Sequence, residues 1–206
     1  MEDHIARLSE RKPGIMGREH YLVSAVLLPL IEGAGGPELL FEVRSRLLER
    51  QPGEICFPGG RVEDGETGNP ADAAVRETAE ELGLNKKDIE VIAPLDFLVS
   101  PMGNIIYPYV GRVRAPGLMA PNREEVDEIF TVPLSFLTAY RPQVSIVDVA
   151  IRYNNDFPVH RVPKIYRGDV WQKRWSHPTY IYEYRGYFIW GMTASILHHF
   201  LLAVSP

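Results

Sequence analysis

Apolar and polar positions alternate along this chain in blocks with clear punctuation. Tyr21–Leu30 is rich in Val and Leu and reads as a buried strand. The turn signal Gly33-Ala-Gly-Gly-Pro37 follows, and Leu39–Arg44 returns as a second strand, so the pair predicts a hairpin. Beyond Pro52-Gly53 the strand-like Ile55-Cys56-Phe57 runs into Pro58-Gly59-Gly60, and residues 61–69 form a polar loop. A helix is predicted over about Pro70–Leu84: Asn69 is a good N-cap, Pro70 suits the first helical position, Asp72 favours the first turn and Gly83 stops the run. Glu90–Val99 and Asn104–Arg114 predict strands around Pro101-Met-Gly-Asn104, and Asp127–Val132 another before a short helix over 133–139. Tyr180–Trp190 reads as two strands joined at Arg185-Gly186, and Thr193–Val204 as a helix with Ile196, Leu197, Phe200, Leu201 and Val204 on one face. A short amphipathic helix is expected over 3–12, whereas 140–180 shows no single period. Strands with few helices, not strictly alternating, indicate an α+β domain or a mixed-sheet sandwich.

Composition narrows the class. With 206 residues, 45% apolar and 24% charged, the chain has the balance of a globular protein, and its length suits one elaborated domain over 1–206. The longest mostly apolar runs are 11 residues, about half of what a membrane span needs. The lone Cys56 excludes an intramolecular disulfide framework and a cysteine zinc site, and the polar N-terminus shows no secretory signal. The expected compartment is the reducing cytoplasm, and the ending Val204-Ser205-Pro206 carries no peroxisomal address. Cys56 itself reads as a small core residue.

Charge is uneven. Residues 60–90 hold nine acids and four bases, which accounts for the whole formal charge of −5. No basic footprint for nucleic acid accompanies it. Within the predicted helix, Val75, Thr78, Ala79 and Leu82 form a core-facing stripe, and Arg76, Glu77, Glu80 and Glu81 lie on another face. Glu77 converges on Glu80 and Glu81 at helical spacings of three and four. Like charges so placed cost about 0.2–0.5 kcal/mol per pair on an exposed helix. A divalent cation relieves that repulsion, and oxygen ligands select Mg²⁺, Mn²⁺ or Ca²⁺. An ordinary solvated acidic face is the other reading of the same charges.

The context separates the two. The stretch GGRVEDGETGNPADAAVRETAEELGL resembles the Nudix box, G-x5-E-x7-R-E-U-x-E-E-x-G-U with U aliphatic, through Gly60, Glu66, Arg76, Glu77, Glu80, Glu81, Gly83 and Leu84. It departs in two ways: nine residues instead of seven separate Glu66 from Arg76, which leaves Glu66 without an assigned role, and Thr78 stands at the aliphatic position. The resemblance implies a Nudix fold, a mixed β-sheet sandwiched between helices with the box as loop-helix-loop. It also implies metal-dependent hydrolysis of a nucleoside diphosphate derivative. Glu77, Glu80, Glu81 and the Gly60 carbonyl would hold Mg²⁺ or Mn²⁺, Arg76 would orient a box glutamate, and Glu80 or Glu125 would be the general base.

The flanks resemble the coenzyme A pyrophosphatase branch of that family. Leu39–Gly60 shares Arg44, Ser45, Gly53 and Phe57-Pro-Gly-Gly60 with its segment, while Glu42 replaces the usual Thr, and Glu49 with Arg50 beside it stands at the second Arg. Ile106–Gly111, Pro121–Val126, Val132–Leu134 and Trp190–Ala194 also resemble the branch. The implied substrate is coenzyme A or an acyl or oxidised form, cleaved to 3′,5′-ADP and 4′-phosphopantetheine. Arg44 and Arg50 then become phosphate-contact candidates, although both can instead pair with neighbouring acids. Residues 140–180 look like an insertion. Arg161, Lys164, Arg167, Lys173 and Arg174 are interleaved there with Tyr166, Trp171 and Trp175 against Asp169 alone over 160–177. That mixture suits a lid over adenine and phosphate, a homodimer interface, or a surface hairpin.

Overall fold

The computed structural model describes residues 13–163 and 170–205; the helix expected over 3–12, and Lys164, Tyr166, Arg167 and Asp169, lie outside them. The first hairpin forms as the pattern predicts, with a tighter turn: β1 (Leu22–Gly33) and β2 (Gly36–Arg44) pair antiparallel from Leu30↔Leu39 to Gly33↔Gly36. β1 is the axis of the sheet. One edge runs parallel to β7 (Asn104–Val113). The other is shared, the early half with β4 (Gly59–Arg61) and the late half with β2, and Leu27 N–H donates to the Pro58 carbonyl between them. β2 also carries β3 (Ile55–Cys56) and β8 (Val126–Pro133); β7 carries β5 (Ile89–Pro94) and β6 (Leu98–Ser100). Parallel and antiparallel pairs in one sheet make it mixed.

Alternation along β1 sorts two cores onto the two faces. Ala25 and Leu27 meet Ala73, Ala74 and Ala79 of α1 (Pro70–Leu82). Leu28, with Leu39 and Phe41 of β2, faces Ile196, Leu197, Phe200 and Leu201 of α3 (Gly191–Val204). Val204, expected on that apolar face, is exposed. A short helix, α2 (Leu134–Ala139), follows β8 and buries Leu137.

The 140–180 region resolves into a long hairpin. β9 (Gln143–Ile151) pairs antiparallel with β10 (Gln172–Tyr184), which pairs in turn with β11 (Tyr187–Ile189). Near its base β10 packs on α3, where Tyr182 Oη lies 2.9 Å from His198 Nδ1 and Tyr180 stacks on the same imidazole. The neighbouring His199 points elsewhere, to Asp96 at 2.8 Å. Farther out both faces of the hairpin meet solvent, which is why no single period marked it.

Candidate active site

α1 begins after Asn69, whose side chain reaches the Asp72 carboxylate (3.0 Å) and not the backbone N–H groups expected of it. It ends at Gly83, which adopts φ +64° and whose Cβ position would fall 2.3 Å from the Ala120 carbonyl. This close approach ties the helix end to the next segment: Ala120 N–H donates to the Leu82 carbonyl and Asn122 N–H to the Glu81 carbonyl, both at 2.9 Å. Glu125 is carried at the end of that segment, with its own carbonyl accepting the Ser45 N–H. Thr78, at the usually aliphatic position, satisfies its buried hydroxyl on the Ala74 carbonyl at 2.7 Å.

Arg76 organises the outer half of the acidic face. Its guanidinium grips Glu66 through two bonds, Nε–Oε1 at 2.9 Å and Nη2–Oε2 at 3.1 Å, and contacts Glu77 Oε1 at 2.8 Å and Glu80 Oε2 at 3.4 Å. The structure thus gives Glu66 a place as the principal partner of Arg76. These bonds hold the arginine's proton more firmly, with those to Glu66 foremost, and hold the Glu66 carboxyl below its ordinary range. Asp64–Glu66 makes one 3₁₀ turn, and only Thr67–Asn69 separate it from the start of α1.

The inner half is buried. Glu81 is only 4% exposed, although helical spacing alone placed it on a polar face; its Oε2 accepts Gly59 N–H at 2.8 Å. Burial, with the nearby Glu42 charge next, pushes its pKa well up. Burial also raises that of Glu77, against the pull of Arg76. A Cβ on Gly60 would lie 2.3 Å from Glu77 Cδ, so this glycine is the space the carboxylate occupies.

Glu42 is a residue that sequence reasoning passed over, noting only its departure from Thr. It is fully buried on β2 opposite Cys56. Cys56 Sγ–H donates to its Oε1 at 3.2 Å, and Oε2 has no hydrogen-bond partner among the described residues. Burial raises its pKa to about 7, with the charges of Glu125 and Glu77 adding to the effect. The signal was present: an acid inside the apolar run Leu39–Val43 is costly to bury without a partner.

Among the described residues, no trio of acidic, His or Cys side chains already closes around one point, since Glu77 is turned to Arg76 and Glu81 to Gly59. The donor set nevertheless fits a hard divalent cation. Its side-chain donors are carboxylates, with an unmet buried oxygen on Glu42 and the Glu77 carboxylate seated on Gly60. Arg44 closes β2 and Arg50 sits on the loop that follows; Arg44 Nε donates to the Arg50 carbonyl at 3.4 Å.

A family model described as "NUDIX domain" matches residues 21–147. The mouse protein "Peroxisomal coenzyme A diphosphatase NUDT7" is 37% identical over 163 residues, covering 78% of this chain and 67% of its own length. "Uncharacterized Nudix hydrolase NudL" of Pectobacterium atrosepticum is 28% identical over 205 residues, covering 100% of this chain and 95% of its own. Among solved structures, the Nudix hydrolase RenU of M. smegmatis overlays with TM-score 0.47 at 24% identity, covering 57% of this chain and 73% of its own.

Proposed function

Because the chain belongs to the Nudix family and is a Nudix pyrophosphohydrolase, we propose that its substrate is coenzyme A or an acyl or oxidised derivative. Hydrolysis of the pyrophosphate bond would give 3′,5′-ADP and 4′-phosphopantetheine or its acyl form. The observation that carries this reading is the site's position: the α1 carboxylates lie over Gly59-Gly60, directly downstream of the Arg44–Phe57 segment that resembles the coenzyme A branch. Similarity to the mouse coenzyme A diphosphatase supports it.

Nudix hydrolases generally use divalent ions. Here Glu77, Glu80, Glu81 and the Gly60 carbonyl would hold Mg²⁺ or Mn²⁺. The bound ion would neutralise diphosphate oxygens and make water more acidic. Arg76 and Glu66 fix Glu77 in orientation, a supporting role that such sites depend on. Glu80, more than half exposed and held by Arg76 at 3.4 Å, would be the first candidate to take a proton from water. Glu125 is the second candidate base, brought up by the segment anchored to the end of α1. Arg44, at the end of β2, and Arg50, in the β2–β3 loop, would meet phosphate groups.

Product analysis after incubation with coenzyme A, ADP-ribose and a dinucleotide polyphosphate, each with Mg²⁺ and with Mn²⁺, tests the substrate. Preferential formation of 3′,5′-ADP is expected; equal or better turnover of the other compounds would replace the coenzyme A reading. Glu81→Gln should lower turnover by about 10²-fold or more, and unchanged turnover would end the role given to this carboxylate.

A further inference from the structure

We propose that Glu42 is an additional ligand of the divalent cation, its Oε2 joining Glu81 so that the ion is held from strand β2 as well as from α1. This rests on the metal-dependent reading above and adds a residue to it. Glu42 is fully buried, and the loop-closing pair Glu42↔Cys56 fixes it in the sheet beside the Cys56–Gly59 turn whose last N–H holds Glu81. One carboxylate oxygen is met by the Cys56 thiol; the other meets nothing among the described residues. No Arg or Lys among them forms an ion pair with Glu42. Arg44, two residues along the same strand, directs its Nε to the Arg50 carbonyl and acts on Glu42 through its charge alone, without an ion pair.

An unmet buried carboxylate oxygen is costly, and other carboxylates close by raise the cost further. Glu81, Glu77 and Glu125 all act electrostatically on this region. A divalent ion between Glu42 and Glu81 meets the empty oxygen and cancels the repulsion together. A Thr at this position, as in the branch the segment resembles, offers neither the charge nor the second oxygen, so the extra ligand is a property of this chain.

Isothermal titration with Mn²⁺ alone, on the full chain and on Glu42→Gln, Glu42→Thr and Glu81→Gln, tests the assignment, with thermal unfolding beside it. Both Glu42 variants should bind Mn²⁺ about tenfold or more weakly. Their metal-free Tm should rise, because an unmet charge has gone, and their Mn²⁺-induced rise in Tm should shrink. If the Glu42 variants keep full Mn²⁺ affinity while Glu81→Gln loses it, Glu42 is not a ligand and the remaining site stands. If Glu81→Gln also keeps it, the metal centre itself is wrongly placed. A lower metal-free Tm with unchanged Mn²⁺ affinity would mean a purely structural Glu42 and overturn the proposal. Glu42→Thr carries the same readouts should the Gln variant fail to fold.

Discussion

Gly59 and Gly60 are adjacent, yet a methyl group meets a different obstacle at each. At Gly59, with φ +151°, it would lie 2.3 Å from the Ala25 carbonyl oxygen and 2.6 Å from Val26 Cα, which are backbone atoms of the central strand. Gly59→Ala should therefore cost about 3 kcal/mol or more in stability, read by denaturant unfolding. At Gly60 the obstacle is the Glu77 carboxylate, the mobile end of a side chain. Gly60→Ala should leave unfolding nearly unchanged and reduce kcat/KM by about 10²-fold, because a shift of about 1 Å in a catalytic group has that effect. Arg76→Lys is the third test at this scale. Lysine cannot reproduce the two-point grip on Glu66 while also holding Glu77. A loss of about 10–100-fold in activity is expected, without loss of fold. The contacts of Arg76 with Glu77 and Glu80 were legible because helical spacing brings these three side chains together. The buried state of Glu81 and the presence of Glu42 were not, because they depend on how β2 and β4 pack beneath the helix.

Elements with at least one dry face were readable; those with two wet faces were not. α1 was predicted within two residues of its C-terminal end, and β1, β2, β3, β7 and β8 follow the apolar blocks closely, whereas β4 forms where a turn and polar loop were expected and the single strand expected over Glu90–Val99 divides into β5 and β6. In contrast, β9 and the outer part of β10 carry apolar side chains on two exposed faces, so no periodicity records which side is inward. The base of β10 offers a pH test. The His198 imidazole, packed against Tyr180 and Tyr182 and next to His199, is held below its ordinary 6.5, chiefly by burial. The unfolded chain then takes up a proton before the folded one does. Stability is fully present above about pH 6.5 and declines as pH falls toward and through the lower folded value. Glu and Asp titrations add their own slope at more acidic pH, so the comparison is between chains: His198→Gln should show a shallower loss of Tm between about pH 6.5 and 5 than the parent.

The molecule as a whole pairs a well-covered mixed sheet with a projecting arm. On that arm Ile146 is 62% and Trp175 49% exposed, and the outer edge of β9 is unpaired among the described residues. Its single charged side chain, Asp148, is already matched by Lys173 at 2.8 Å. Two such edges meeting antiparallel about Val147 would set no like charges opposite one another, which suits a second copy of this chain. Sedimentation at tens of micromolar should then show a dimer that Ile146→Lys dissolves; a monomer at every concentration would remove the homodimer expectation. None of the helices among the described residues is long and apolar enough to cross a membrane.

The clamp around Arg76 has a consequence for the order of events. Its guanidinium faces Glu66, Glu77 and Glu80, so the helix has no idle positive charge to greet a doubly anionic visitor. A bare diphosphate approaching these carboxylates is repelled. Entry is therefore expected to be ordered, the cation arriving first or escorting its passenger. Diphosphate added with a chelator should leave the protein untouched in a titration, and the same compound should bind once Mg²⁺ is restored.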